Sequence, residues 1–367
     1  SQLAAWLGQE LGLPYLHAAY MLLYRNGGLV REVMEDLEVP NNTYAEAWFP
    51  PGQNGDLYKI SMWFEFENYN FGAFSAVSAT IEPFRSQNAY KLARYRWIFK
   101  RRPLDGYASN YTNLFDLVTV ANDTTTNYVT RFDNLAQTEQ WMRVYGYDRM
   151  MGNWDSWSFS VGQNMYAYKQ PGERWVLMPW DIDFTFGLGE GPGGSLWGGQ
   201  DPVINRMYDE PAFRRALWRT YQDAINGPYQ APRYQPQIDI RRRVLLQNNI
   251  TGLSEPSSIT TYIEQRRGFL QSQLTASDAA AFAITSNNGN NFASPTPTTL
   301  ISGNAPFAIA TIQVNGTPYP VTWTGPTTWS IAVPLTTVTN VLTFIGRDRL
   351  GRLLPAATDT TTRIYRG

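Results

Sequence analysis

Apolar positions change their spacing along this chain, and the changes outline its architecture. Residues 1–20 suggest a helix, amphipathic from Ser1 to Leu11. Ala19–Tyr24 and Leu29–Met34 read as strands joined by a turn over Arg25–Gly28, where Asn26-Gly27 is a hairpin signal. Asp56–Ile60 and Met62–Phe66 read as further strands. Helical spacing then marks 89–101, 113–122 and 135–147, followed by a strand over Arg174–Asp181 and helices over 210–225 and 260–275. Strands lead and helices follow, which predicts a small mixed lobe stacked on a larger helical one.

Near residue 285 the pattern shifts. A polar cluster, Thr285–Asn291, reads as a linker. Beyond it apolar residues alternate over 310–315, 319–323, 328–333, 340–345 and 361–365, with Asn315-Gly316 as a hairpin turn. Short strands at such spacing predict a β-sandwich, read as an immunoglobulin-like spacer. Trp323 and Trp329 suit its core; a sugar platform is the alternative. The expected domains are 1–285 and 286–367.

Composition narrows the function classes. The chain has 367 residues, 17% charged, with a net charge of −1, which argues against a dedicated nucleic-acid binder. No apolar run is long enough to span a membrane, and no signal peptide is visible, although the helical opening fits a processed or trimmed piece. There is no cysteine, which removes disulfides, thiolate metal sites and cysteine nucleophiles. The single histidine, His17, cannot build a multi-histidine zinc site and reads as structural. Aromatics at 14%, with abundant Asn, Gln, Thr and Gly, give the look of an extracellular or cell-surface protein. The basic runs Lys100–Arg102 and Arg241–Arg243 read as solvated faces rather than polyanion sites.

The richest chemistry lies between Asn153 and Gly187. Asp155, Asn164, Asp181 and Asp183 sit among dense apolar and aromatic residues, where uncompensated polar groups are costly. Carboxylate and amide oxygens suit magnesium or calcium. Asp181 and Asp183 are two apart, so on one strand they share a face, and at a strand end they can flank one cation. The order Asp155, Asn164, Asp181 follows the kinase arrangement of base aspartate, metal asparagine and metal aspartate. Trp154, Trp157, Trp175 and Trp180 read as packing, with stacking on adenine open to one of them. The glycine-rich run 187–194 fits neither a dinucleotide fingerprint nor a P-loop; it reads as a plain loop, with a mobile lid as the alternative.

These residues resemble the CotH kinase family, the spore-coat CotH-like atypical protein kinases. Asn164-Met-Tyr-Ala-Tyr168 is similar to the family's Asn-Asn-Tyr-Tyr-Leu-Tyr. Met178-Pro-Trp-Asp-Ile-Asp-Phe-Thr-Phe-Gly187 is similar to its Pro-Trp-Asp-hydrophobic-Asp-x-x-hydrophobic-Gly. Asn26-Gly27 leading to Glu35, and Gly55-Asp-Leu-Tyr-Lys59, resemble its N-terminal motifs. The likeness covers about residues 5–275, with support from Pro202–Arg214 and Ile263–Arg267.

The resemblance implies an α+β, atypical protein-kinase-like two-lobe fold, followed here by the all-β immunoglobulin-like sandwich. It implies phosphoryl transfer from ATP to protein serine or threonine, with magnesium or manganese. Asp155 would be the catalytic base; Asn164 and Asp181 would hold metal, with Asp183 as second ligand or orienter. Glu35 would be the glutamate that pairs with a nucleotide lysine, with Glu38 its competitor, and Lys59 would contact phosphate. Family members carry an upstream Arg-Gly-x-Ser stretch and a lysine-rich strand; this chain begins after that point, so its N-terminal lobe is expected to be truncated. The alternative reading is a non-catalytic surface or matrix protein that keeps a kinase-like scaffold, with a structural calcium ion at Asp181 and Asp183 and other surface or matrix components as partners.

Overall fold

The computed structural model describes residues 1–49, 55–66, 74–103 and 109–366. They form a mixed α/β protein with a β-rich C-terminal region, in two compact units: 1–208 with 223–270, and 209–222 with 271–367. The strand expected over 62–66 forms as Trp63–Phe66.

The first unit runs α1 (Gln2–Glu10), β1 (Ala18–Arg25), β2 (Gly28–Leu37), α2 (Asn42–Trp48) and β3 (Asp56–Ile60). Two short hairpins follow, β4 (Trp63–Phe66) with β5 (Phe74–Val77), and β6 (Arg85–Ser86) with β7 (Ala89–Tyr90). Then come α3 (Leu92–Ile98), β8 (Phe99–Pro103), α4 (Thr112–Ala121), α5 (Tyr128–Leu135) and α6 (Thr138–Met151). After β9 (Met165–Lys169) and β10 (Val176–Pro179) the chain forms α7 (Pro202–Asp209), α8 (Pro211–Asn226), most of which belongs to the second unit, α9 (Ala231–Gln247) and α10 (Ser257–Ser277), whose last turns also belong to the second unit.

An antiparallel sheet in the order β10-β9-β3-β8 positions the site. Gly55 enters it where a Cβ would come within 2.5 Å of the Lys169 carbonyl and the Tyr168 ring, so only glycine fits. One face packs Leu57, Tyr166, Tyr168, Val176 and Met178 against Leu16, Tyr44 and Ala45. The free edge of β10 is closed by α6. Gln140 exchanges two hydrogen bonds with the Leu177 backbone, and the Trp175 carbonyl accepts from the Gln137 amide and the Trp141 indole.

Three expected elements differ. The first helix, expected over 1–20, ends at Glu10, and Ala18 already begins a strand. The helix over 89–101 stops at Ile98, and Phe99–Pro103 is a strand. The reason is a two-residue alternation: Arg101 turns in to a buried ion pair with Asp56, which also accepts from Asn113 Nδ2 at 2.5 Å, while its neighbours take the other face. The strand over 174–181 ends at Pro179. The Asn26-Gly27 turn formed as read, both residues having positive φ, 52° and 80°.

The second unit adds β11 (Ala283–Ile284), β12 (Phe292–Ser294), β13 (Thr298–Asn304), β14 (Thr311–Val314), β15 (Thr317–Pro318), β16 (Thr322–Trp323), β17 (Thr328–Pro334), β18 (Thr339–Arg347) and β19 (Leu353–Tyr365). Sheets β11-β13-β17-β16 and β12-β19-β18-β14-β15 share a core of Ile301, Ile312, Trp329, Ile331, Leu342 and Phe344, which makes a β-sandwich. Trp329 is fully buried there, and Arg215 lies 3.6 Å from the centre of the Trp323 ring, so neither serves as an open sugar platform. Asn315-Gly316 forms the expected turn with φ of 50° and 80°.

Removing Arg101 would leave the Asp56 carboxylate buried and uncompensated. Arg101→Met is expected to lower unfolding free energy by about 3–5 kcal/mol. The double variant with Asp56→Asn should recover much of it in urea titrations. Equal losses for the single and double variants would contradict this pairing.

Candidate functional site

The site is built at one end of the β9–β10 hairpin. Met165 pairs with Pro179, so Asn164 and Trp180 stand across from each other just beyond the last rung. The Trp180 amide donates to the Asn164 carbonyl at 3.3 Å. Asn164 has φ 58° and Asp181 φ 54°, so both flanks of the hairpin end turn through left-handed backbone, which Asn and Asp tolerate better than other side chains.

Asp155 reaches the same place from the loop after α6. That helix ends on Gly152 at φ 68°, with the Gly152 amide on the Arg149 carbonyl and the Asn153 amide on the Asp148 carbonyl. The turned-back chain is then held by a buried carboxylate. Asp148 Oδ1 accepts from Asn153 Nδ2 at 3.0 Å and Oδ2 from Ser158 Oγ at 2.8 Å. The Ser158 carbonyl accepts from Arg149 and from the Tyr208 hydroxyl, and Trp157 Nε1 donates to the Ala79 carbonyl. Asp155 lies between these anchors, only 9% exposed. Its Oδ1 accepts from Gln163 Nε2 at 2.6 Å and its Oδ2 from Asn164 Nδ2 at 3.1 Å; the same Asn164 amide group also donates to the Asp155 carbonyl.

Asp181 completes the group. Partial burial, then the negative charges of Asp183 and Asp155, raise its carboxyl above the ordinary range, opposed by Lys59. Asp155 and Asn164 are thus in contact at the hairpin end, and Asp181 feels the charges of Asp155 and Asp183 there. Asp181 and Asp183 do not share a strand face, because β10 has already ended; Ile182 between them is buried and Asp183 faces elsewhere. Asp183 lines a cleft of about 640 Å³ with Thr185, Leu188 and the start of α10.

Lys59 sits in β3 beside β9, with its ammonium 5.3 Å from the centre of the Trp180 ring. Burial, then Arg102, lower its pKa, opposed by Asp181. Glu35 is not with this group. It lies in β2 opposite Tyr20, in a separate two-stranded sheet and not on a helix, and among the described residues Lys59 makes no ion pair with it. Glu38 closes the base of that hairpin by accepting the His17 amide at 3.2 Å.

The oxygen donors suit a hard cation. Among the described residues no three Asp, Glu or His side chains form a ready metal cage. Magnesium does not need one, since it is held through one or two carboxylates plus phosphate oxygens and water. A divalent cation beside Asp181 would relieve the repulsion its carboxylate feels from Asp183 and Asp155, and its oxygens are of the type magnesium or manganese takes.

Sequence reasoning missed Asp148 and Asp201. Asp201 accepts the Ile81, Val203 and Ile204 amides and caps α7. Neither has a motif of its own; their role exists only in the folded chain. The glycine-rich run is anchored: Arg266 donates to the Pro192, Gly194 and Arg149 carbonyls, and a Cβ on Gly189 would collide with the Trp154 ring at 2.1 Å.

Among known proteins, residues 1–270 match the family model of the CotH kinase protein. No curated protein sequence matches this chain.

Burial raises the Asp148 carboxyl to about 6. The folded state therefore keeps a proton that the unfolded chain releases between about pH 4 and 6, and stability falls as pH rises through that window, levelling above it. Against Asp148→Asn, which lacks this titration, the wild type should lose on the order of 3 kcal/mol between pH 4 and 7. Urea unfolding at several pH values measures the difference; a pH-independent gap between the two proteins would contradict the assignment.

Proposed function

Since the chain belongs to the CotH kinase family, we propose that residues 1–270 form a CotH-like kinase of an exported or cell-surface protein, transferring the γ-phosphate of ATP to protein serine or threonine. The observation that carries this reading is the convergence of Asp155, Asn164 and Asp181 on one hairpin end, in the order a kinase uses. In this reading the chain has the atypical kinase-like two-lobe fold, and the sandwich beyond it is an immunoglobulin-like spacer.

Asp155 orients the acceptor hydroxyl and takes its proton. Its amide partners, Gln163 and Asn164, fix the carboxylate before substrate arrives, so little reorganisation is needed. Asn164 and Asp181 would hold magnesium or manganese, with Asp183 as second ligand or orienter, and the bound ion would neutralise phosphate charge. Lys59, beside Asp181, offers a positive charge to phosphate. One observation favours a competing reading: both Asp155 oxygens already accept amide hydrogen bonds, as in a purely structural site. That reading is the non-catalytic surface or matrix protein, with structural calcium.

The test is nucleotide binding and label transfer by the full chain with magnesium or manganese. Asp181→Ala should weaken nucleotide binding at least about tenfold. Asp155→Asn should keep binding but lose transfer by about a hundredfold or more. Absence of nucleotide binding by the wild type, with tight calcium binding lost in Asp181→Ala, would replace the kinase reading with the structural one.

A further inference from the structure

The basic run at 100–102 is sorted by the sheet. Arg101 turns to Asp56 on one face, and Lys100 and Arg102 take the other. Lys59 stands opposite Lys100 across β3 and β8, and Arg102 lies two residues along, opposite Leu57. Lys59 leans over Trp180, Trp180 meets the Tyr166 ring edge-on at 5.6 Å, and the positive charge of Arg102 acts on the Tyr166 hydroxyl. Among the described residues, Lys100 Nζ donates to the Ser61 hydroxyl at 3.3 Å. Among the described residues, none of these three cations forms an ion pair with a carboxylate.

Three like charges on one aromatic-floored face repel one another, and the proximity is felt at Lys59, whose protonated form both Arg102 and Lys100 disfavour. An anion with several charged oxygens would balance them. The strand order ranks the cations by distance from the carboxylate cluster: Lys59 adjoins the β9–β10 hairpin, and Lys100 and Arg102 lie one strand, about 4.8 Å, further out. A run of linked phosphates matches such a row better than one compact anion.

We propose that Lys59, Lys100 and Arg102 form a polyphosphate-binding face, with β8 supplying two of its three cations, that cradles the phosphate chain of the phosphoryl donor beside Asp181. This rests on the kinase reading above and adds to it the residues of β8. The Arg102 guanidinium offers a planar fork for two phosphate oxygens, and the two ammonium groups act as point charges. The basic run is thus a recognition element rather than a solvated face.

Calorimetric titration of the full chain with magnesium tripolyphosphate and with magnesium ATP tests it. The wild type is expected to bind both, in competition. Lys100→Met with Arg102→Met should weaken both at least tenfold, and Lys100→Arg with Arg102→Lys should restore most of the affinity. Arg102→Met alone, at an exposed position, should weaken both several-fold and serves if the double variant fails to fold. ATP binding by the wild type that is unchanged in these variants would overturn the inference and leave the kinase reading standing. Tripolyphosphate binding lost in the variants, with no ATP binding by the wild type, would support the face and remove ATP as donor. Binding of neither ligand by the wild type would overturn both.

Discussion

Everything proposed for this chain depends on the register of the β9–β10 hairpin. Met165 opposite Pro179 places Asn164 across from Trp180, and the Trp180 amide closes on the Asn164 carbonyl. Slipping either strand by a single residue would exchange the faces of Tyr166, Tyr168, Val176 and Met178, which are buried together on one side. The hydrophobic pattern therefore locks the register, and the register delivers the polar residues. β3 on one side and the α6 backbone clamp on the other keep both strands from drifting.

Asp155 is delivered by a different device. A glycine-capped helix end and the buried Asp148 bind its loop, the latter through Asn153 just before Asp155 and Ser158 just after it. Burying Asp148 costs free energy unless its oxygens are satisfied, and Asn153 and Ser158 satisfy them only in this loop conformation. The carboxylate thus selects the loop path that carries Asp155 to Asn164. Two independent local constraints, a strand register and a buried acid, meet at one amide–carboxylate contact.

Much of this was legible in the chain. The Asn164 and Pro179–Asp183 motifs, the family they belong to, the Asn-Gly hairpins and the C-terminal alternation all follow from local patterns that the fold preserves. What was hidden depends on partners distant in sequence. Arg101 became a strand residue because Asp56 needed a buried counter-charge, although its flanks have helical spacing. Asp181 left the strand because a left-handed turn follows Pro179. Glu35 kept its place after the Asn-Gly turn but lies on a strand, opposite Tyr20, away from Lys59. The glycine-rich run suggested freedom, yet Arg266, from a helix more than seventy residues later, holds its carbonyls.

The most direct test is a crystal structure of the full chain grown with manganese and a non-hydrolysable ATP analogue, using the anomalous signal of the metal. The account requires the manganese peak within coordination distance of Asp181 and Asn164, with Asp155 facing the terminal phosphate. A metal bound elsewhere, or a nucleotide lying away from the β9–β10 hairpin end, would contradict it.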